Sequence, residues 1–168
     1  MLNKNNVLIR AKDQQIYHLN QNIKKYSPLV NNILKETEND LGPINLSLSS
    51  HQIMLFSQYF AARNFEIPLE FIVKKPLTTH KLKELLLPED YEILKDWSKE
   101  DIKDLLEVSL YLEIEVLSEI LLTKIAADYF INIGKNAIED FRLKTGLNEE
   151  LSEETIINIK KEFKWAFS

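Results

Sequence analysis

The most unusual hydrophobic pattern of the chain lies in residues 110–131, LYLEIEVLSEILLTKIAADYFI. From Val116 to Ile131, 11 of 16 residues are apolar. A surface helix normally keeps one wide polar face, but at about 100° per residue the polar residues here spread round the whole helical wheel. They are Ser118, Glu119, Thr123, Lys124 and Asp128. The pattern therefore predicts a helix that is covered on more than one side, by its own protein or by another one.

The first 50 residues hold the clearest strand signals. Short β-branched and aromatic runs occur at Val7–Ala11 and Gln15–Leu19, separated by the turn-like sequence KDQ. After the breaker GP, the run PINLSL alternates apolar and polar positions, which predicts a third strand. Its inward residues are Ile44, Leu46 and Leu48, and its outward residues are Asn45 and Ser47.

Helix starts are marked by serines. Ser27 is a predicted N-cap, and Pro28 follows at the first helical position, where its missing N–H is not needed. Ser49 or Ser50 can cap the helix HQIMLFSQYFAARN, and Ser98 opens SKEDIKDLLEVSLYL. From Ser98 onward the pattern is helical, with a short helix around GKNAIEDFRL and a last one in SEETIINIKKEFKWAF.

The middle of the chain, residues 64–97, is harder to assign. FEIPLEFIVKKPL predicts a strand or a docked loop, and THKLKELLLPEDYEILKDW has helical spacing interrupted at Pro88. The segment is too apolar for a disordered linker. We therefore expect it to pack against the chain or to bind something.

Composition and charge narrow the functional classes. The chain of 168 residues is 45% hydrophobic and 28% charged, which is typical of a soluble globular protein. Because the sequence has no cysteine and its start lacks the apolar core of a signal peptide, we expect a cytoplasmic or nuclear protein. A formal net charge of −5 argues against non-specific nucleic-acid binding, because phosphates attract positive charge. No apolar run is long enough for a membrane span, and the absence of cysteine excludes disulfides and thiolate metal sites.

Catalytic and cofactor motifs are missing. The three glycines are far apart, so neither a phosphate-binding loop nor a dinucleotide fingerprint exists. The histidines, His18, His51 and His80, have no second ligand one helical turn away, and no serine lies in a nucleophile-elbow context. We expect no catalytic residues, no metal, no cofactor and no small-molecule substrate. The aromatic residues that crowd the last third of the chain instead favour a protein-binding surface.

The order of these elements resembles the S-phase kinase-associated protein family (Skp family), the F-box-binding adaptors of SCF ubiquitin ligases. VLIRAKDQQIYHL resembles the family's opening hairpin, and IKKYSPLVNNIL and GPINLSLSSHQIMLFSQYF resemble the elements that follow. LLEVSLYLEIEVL (Leu105–Leu117) is similar to the family signature, and LSEETIINIKKEFKW to its C-terminal end. The resemblance covers the chain except for roughly residues 64–95.

The resemblance implies a fold of the α/β (α+β) class. Residues 1–115 would form a BTB/POZ domain, a small three-stranded sheet covered by helices, with residues 64–97 as a divergent middle segment. Residues 116–168 would form a C-terminal extension of helices that bind an F-box.

The resemblance also implies two partner surfaces, one for a cullin and one for an F-box protein. The cullin contact would include Leu110 and Tyr111. The F-box side would include Leu117, Ile120, Leu121, Lys124, Ile125, Phe141, Leu143, Ile157, Phe163 and Trp165. Such an adaptor brings a substrate close to a charged ubiquitin carrier and performs no chemistry itself.

Two departures from the family pattern keep other functions open. Leu110 replaces a usual Asn, and residues 64–97 are apolar where the family segment is acidic. The second hypothesis is a Skp-like scaffold subunit of a non-ligase complex, of the vacuolar-ATPase assembly or kinetochore type. A third is a BTB oligomerisation module.

Overall fold

A small sheet and eight helices make up the part of the chain that the structure describes, and this confirms the predicted mixed α+β class. The structure is a computed structural model, and it describes residues 6–36, 42–130, 137–146, 152, 157–158 and 161. The chain divides into two compact units, Met1–Phe130 and Ile131–Ser168. The helix predicted from the opening pattern belongs to the first unit.

The sheet has three strands in the order β2-β1-β3. Strands β1 (Asn6–Arg10) and β2 (Ile16–Asn20) form the predicted antiparallel hairpin, in which Val7 pairs with Leu19. Strand β3 (Ile44–Asn45) runs parallel to β1. Only two residues form β3, but the predicted alternation continues beyond it. The inward residues Ile44, Leu46 and Leu48 are buried, and the outward residues Asn45 and Ser47 are exposed.

Two helices follow the hairpin, and Ser27 connects them to a later part of the chain. Helix α1 is Ile23–Tyr26, and α2 is Pro28–Glu36. The buried Ser27 hydroxyl accepts a hydrogen bond from the Val30 N–H at 3.1 Å, as the N-cap prediction requires. The same hydroxyl donates to the carbonyl of Leu112 at 2.6 Å. One serine therefore caps α2 and links it to residue 112.

Two further helices of the first unit begin directly after the serines that the sequence predicted as N-caps. Helix α3 (Ser50–Ala62) has Ser49 as N-cap, in a capping box with Gln52. Helix α6 (Lys99–Tyr111) has Ser98 as N-cap, and the Asp101 N–H donates to its hydroxyl at 3.0 Å. The others are α4 (Leu82–Leu85), α5 (Pro88–Leu94) and α7 (Glu115–Asp128). Pro88 begins a helix, because a proline is favoured in the first helical turn.

The core of the first unit joins the sheet to helices α3, α6 and α7. Side chains from β1, β3 and the three helices form a single hydrophobic cluster. Its largest fully buried members are Tyr59, Phe56, Phe60, Ile9, Ile23, Ile53, Leu94, Ile102, Leu105, Leu112, Leu117 and Ile120. Helix α7 therefore supplies core residues to its own unit.

Residues 66–81, here called the strap, contain neither helix nor strand. The strap contacts helix α7 and the residues just after it, although it precedes that helix in the sequence. Ile67 is buried, and Phe71 packs against the core. The ammonium of Lys75 pairs with the Glu119 carboxylate of α7 at 2.7 Å. Near the end of α7, the rings of His80 and Phe130 stack with centroids 5.9 Å apart. The middle segment is thus a docked irregular segment, which was one of the two predicted alternatives.

The second unit contains the predicted short helix, α8 (Ala137–Thr145). Gly146 follows the helix, and its φ of 70° is the left-handed conformation that favours glycine after a helix. The Gly146 N–H donates to the carbonyl of Arg142 at 2.8 Å. In the predicted last helix, residues 157, 158 and 161 are helical, and most other residues of that segment lie outside the described part of the chain.

We expect Ser27→Ala to lower the free energy of unfolding by about 1–3 kcal/mol, because it removes a helix cap and leaves the Leu112 carbonyl without its buried donor. Urea denaturation measures this change. Ser57→Ala is the matched control, since the Ser57 hydroxyl donates within its own helix, to the carbonyl of Ile53. Equal effects of the two substitutions would contradict a linking role for Ser27.

Candidate protein-interaction site

Three residues expected on the F-box side are core residues in this structure. Leu117, Ile120 and Leu121 each have 0% of their surface exposed and belong to the hydrophobic cluster of the first unit. Helix α6 packs against α7, and short helix α4 also contacts it. A partner therefore cannot reach these three side chains on the surface of the chain as it stands. The chain itself covers these three apolar side chains of α7, and their contact with an F-box protein stays a prediction.

The polar residues of α7 explain how a helix without a polar face is stable. Ser118 is buried, and its hydroxyl lies 2.9 Å from the Ser109 hydroxyl of α6 and donates to the carbonyl of Ile114 at 3.2 Å. Thr123 is also buried and donates to the carbonyl of Glu119 at 2.8 Å. Because these hydroxyl groups have hydrogen-bond partners, their burial carries little penalty.

Lys124 and Ile125 are also less available than expected. Lys124 is only 6% exposed, and its ammonium pairs with the Asp128 carboxylate one turn away at 3.0 Å. Ile125 is half-buried and packs against the core. The large apolar residue that α7 does expose is Leu122, at 45%.

The second unit presents the other expected F-box residues at its surface. Phe141 is 45% exposed and Leu143 82% exposed, both on α8, and Ile157 is 52% exposed. Phe163 and Trp165 lie outside the described residues. Exposed apolar side chains of this size are typical of partner-binding surfaces when they occur together.

The two residues expected in the cullin contact lie at the exposed end of α6. Leu110 is 60% exposed and Tyr111 is 37% exposed. The Tyr111 hydroxyl accepts a hydrogen bond from the Ser47 N–H at 3.1 Å, which holds the ring against the segment after β3. Two residues later, Glu113 has a φ of 59°, a left-handed conformation that separates α6 from α7. Leu110 and Tyr111 thus form an adjacent, supported apolar pair.

A groove that the sequence interpretation missed lies beside the strap. Its volume is about 440 Å³. Its lining is mainly apolar, with one lysine and two glutamates: Lys25, Tyr26, Pro28, Ile67, Pro68, Leu69, Glu113, Ile114, Glu115 and Val116. The signal in the sequence was the apolar run EIPLEFIV. A run of this kind predicts packing, but it does not say which other elements will form the opposite wall.

A buried carboxyl group joins α3 to α5. Asp90 is fully buried and accepts a hydrogen bond from the Tyr59 hydroxyl at 2.8 Å, while the Arg63 guanidinium lies 3.6 Å away. Burial raises the pKa of Asp90, although Tyr59 and Arg63 partly oppose this shift. Burial, together with the Asp90 charge, also raises the pKa of Tyr59. Because no side-chain surface of Asp90 is exposed, this cluster fixes the position of α5 rather than meeting a substrate.

Among the described residues, no group of three or more His, Asp or Glu side chains could hold a metal ion. Within those same ranges, no helix has both the length and the apolar character that crossing a bilayer requires.

Comparison of the sequence with known proteins finds a distant relative. No protein-family model matches the chain. The chain is 26% identical, over 163 residues, to the S-phase kinase-associated protein 1 homolog of Tetrahymena thermophila. This alignment covers 95% of the chain and 93% of the relative. The similarity is distant, but it extends over nearly the whole of both proteins.

Asp90→Asn is expected to flatten the pH dependence of the free energy of unfolding. Because the pKa of Asp90 is raised in the folded chain, this group stabilises fully below its unfolded pKa, and that contribution is lost as the pH rises through the folded pKa. Urea denaturation from about pH 4 to about pH 8 measures this dependence.

The control for Asp90 is Glu89→Gln. Glu89 is the neighbouring acid, has a side chain that is 67% exposed, and also pairs with Arg63. The Glu89 charge is the last of the causes that raise the pKa of Asp90, after burial, so we expect this variant to keep most of the pH dependence of the unmodified protein. If Asp90→Asn kept it too, the buried carboxyl group would not be its source.

Proposed function

We propose that this chain is a non-catalytic adaptor of the Skp type, which joins an F-box substrate receptor to a cullin in an SCF-type ubiquitin ligase. The observation that carries the proposal is the nearly full-length similarity to an S-phase kinase-associated protein 1 homolog. The α+β architecture supports it, since a hairpin, a third strand and covering helices are the elements that a BTB/POZ domain would need. Under this proposal the chain works by holding two proteins together, in the cytoplasm or nucleus.

The F-box receptor is proposed to bind the second unit. Phe141, Leu143 and Ile157 supply exposed apolar surface, and Phe163 and Trp165 are proposed to join them. Aromatic anchors of this kind commonly contribute a large share of binding energy. Leu117, Ile120 and Leu121 keep a supporting role in the proposal, because they hold α7 in its own core. Lys124 and Ile125 remain at most marginal contacts.

The cullin is proposed to bind the exposed end of α6, at Leu110 and Tyr111. The hydrogen bond between the Ser47 N–H and the Tyr111 hydroxyl restricts the tyrosine before any partner arrives. Restriction of this kind lowers the entropy that binding must overcome. The apolar Leu110 would pack on the partner, where a family member with Asn would form a hydrogen bond.

The alternative is a Skp-like scaffold subunit of a non-ligase assembly, and two observations favour keeping it. Leu110 changes the chemistry of the proposed cullin contact, and the middle segment is a docked apolar strap. In this alternative the second unit would still bind a partner, and the end of α6 would be free of cullin. A BTB oligomerisation module is the remaining alternative, and a stable homodimer that binds neither protein would favour it.

We expect Leu143→Asp to weaken binding of an F-box protein encoded in the same genome by about tenfold or more, because it places a charge in an apolar contact. Isothermal titration calorimetry with the purified full chain measures the affinity. Since Leu143 is 82% exposed, the melting temperature should not change. An unchanged affinity would remove α8 from the interface.

Leu110→Asp provides the reciprocal experiment. It should weaken binding of the N-terminal domain of a cullin from that genome by about tenfold, while the F-box protein binds as before. Leu143→Asp should leave cullin binding intact. If the unmodified chain bound the F-box protein but no cullin, the ligase adaptor would be wrong and the scaffold alternative would replace it.

A further inference from the structure

Four hydroxyl side chains of the sequence have a lysine or an arginine three positions upstream. They are Ser27, Thr78, Ser98 and Thr145, and the basic residues are Lys24, Lys75, Lys95 and Arg142 in that order. A basic residue at this distance is a recognition signal for many serine/threonine kinases, which select their substrates by charge pattern. Because the spacing does not separate the four residues, accessibility in the folded chain decides which hydroxyl a kinase can reach.

Three of these hydroxyls already have a structural function. The Ser27 hydroxyl is buried and caps α2. The Ser98 hydroxyl caps α6 and also donates to the Asp101 carboxylate at 2.7 Å. The Thr145 hydroxyl donates to the carbonyl of Phe141 at 2.7 Å, inside α8. Phosphorylation of any of these three residues would require a helix terminus or a buried contact to open first.

Thr78 differs from the other three in its surroundings. Its side chain is exposed, and its hydroxyl has no hydrogen-bond partner among the residues that the structure describes. It lies in the strap, where the described residues 67–79 make no backbone–backbone hydrogen bond. The neighbouring Thr79 is half-buried, and its hydroxyl accepts from the Lys81 N–H at 3.2 Å. Thr78 can therefore enter an enzyme cleft without loss of secondary structure.

The charges that precede and follow Thr78 are basic. Residues 71–83, FIVKKPLTTHKLK, contain four lysines and no carboxylate, whereas the whole chain has a formal net charge of −5. The nearest acidic residues in the sequence are Glu70 and Glu84, and Glu84 pairs with Lys81 at 3.0 Å. Acidic residues thus stand outside the stretch that a kinase would read around the acceptor.

The two lysines before Thr78 are available to an enzyme. Lys74 is exposed, and no carboxylate lies within 4 Å of its ammonium among the described residues. Lys75 pairs with Glu119 of α7, but its side chain is 66% exposed, and an exposed pair of this kind contributes little to stability. Both ammonium groups can therefore turn to carboxylates of a kinase.

We propose that Thr78 is a phosphorylation site for a serine/threonine kinase that recognises the lysines three and four positions before the acceptor. Lys75 and Lys74 pair with carboxylates of the kinase and position the threonine. The Thr78 Oγ forms a bond to the γ-phosphorus of ATP, while the bond from that phosphorus to the bridging oxygen of ADP breaks. The hydroxyl proton passes to the catalytic aspartate of the kinase.

The phosphate places about two negative charges in a basic segment. It competes with Glu119 for the ammonium of Lys75, which forms an ion pair between the strap and α7. Phosphorylation thus changes the charges that dock the strap. None of the residues proposed to contact a cullin or an F-box protein is involved, so this site does not depend on the adaptor function.

Phosphorylation of the purified full chain by a panel of kinases that select basic residues tests the proposal. The panel contains cyclic-AMP-dependent, calmodulin-dependent and calcium–phospholipid-dependent protein kinases. With radiolabelled ATP the folded chain should incorporate phosphate, and mass spectrometry should place it on Thr78. Thr78→Ala should lower the incorporation by about tenfold or more, and Lys74→Gln should lower the initial rate by about threefold, because a recognition charge is lost.

Thr145→Ala is the matched control. Thr145 also follows a basic residue by three positions, but it lies in α8, so this variant should keep the full incorporation. Thr78→Ala and Lys74→Gln should keep the melting temperature of the unmodified protein, since both side chains are exposed. A loss of incorporation in these variants then reflects the site and not unfolding.

Several results would overturn the proposal. They are the absence of incorporation with every kinase of the panel, phosphate on the other three hydroxyls with none on Thr78, and equal incorporation by Thr78→Ala and the unmodified chain. An unchanged rate for Lys74→Gln together with efficient labelling of Thr78 by a kinase that selects acidic residues would contradict recognition through the lysines.

Discussion

Helix α7 lacks a polar face, and much of the first unit is arranged to meet that constraint. An exposed helix with apolar residues on every side would place a large apolar area in water. Helix α6 packs against α7. The strap contacts α7 at Glu119 and meets Phe130 just beyond the end of that helix. The hydroxyls of Ser118 and Thr123 donate hydrogen bonds to backbone carbonyls of α7 and of the residue before it. The apolar content of the middle segment is therefore explained in part by its packing beside α7.

The coverage of α7 determines where partners can bind. Side chains such as Leu121 are used within the chain, so they are not free to form an interface. Exposed apolar surface lies elsewhere in the described residues, for example at the end of α6 at Leu110, on α8 and on the outer side of the strap. Each of them exposes large apolar side chains. Such a distribution is typical of a protein that functions by contact.

Local signals in the sequence predicted local structure well. The N-caps at Ser27 and Ser98 and the alternation around β3 follow from chemistry within a few residues, so one sequence is enough to find them. Tertiary features could not be found in this way. A helical wheel shows that α7 is apolar all round, but it does not tell whether the cover is the chain itself or a partner. Burial of Asp90 likewise depends on Tyr59, which is distant in sequence.

Hydrogen exchange of the isolated chain tests most directly whether α7 belongs to its own core. The backbone amides of α7 should exchange among the slowest in the protein, with protection close to the global free energy of unfolding, because the helix opens only when the core opens. Residues 67–79, which lack backbone–backbone hydrogen bonds, should exchange quickly. Exchange of α7 as fast as that of residues 67–79 would contradict this arrangement, since the helix would then need a partner to be covered.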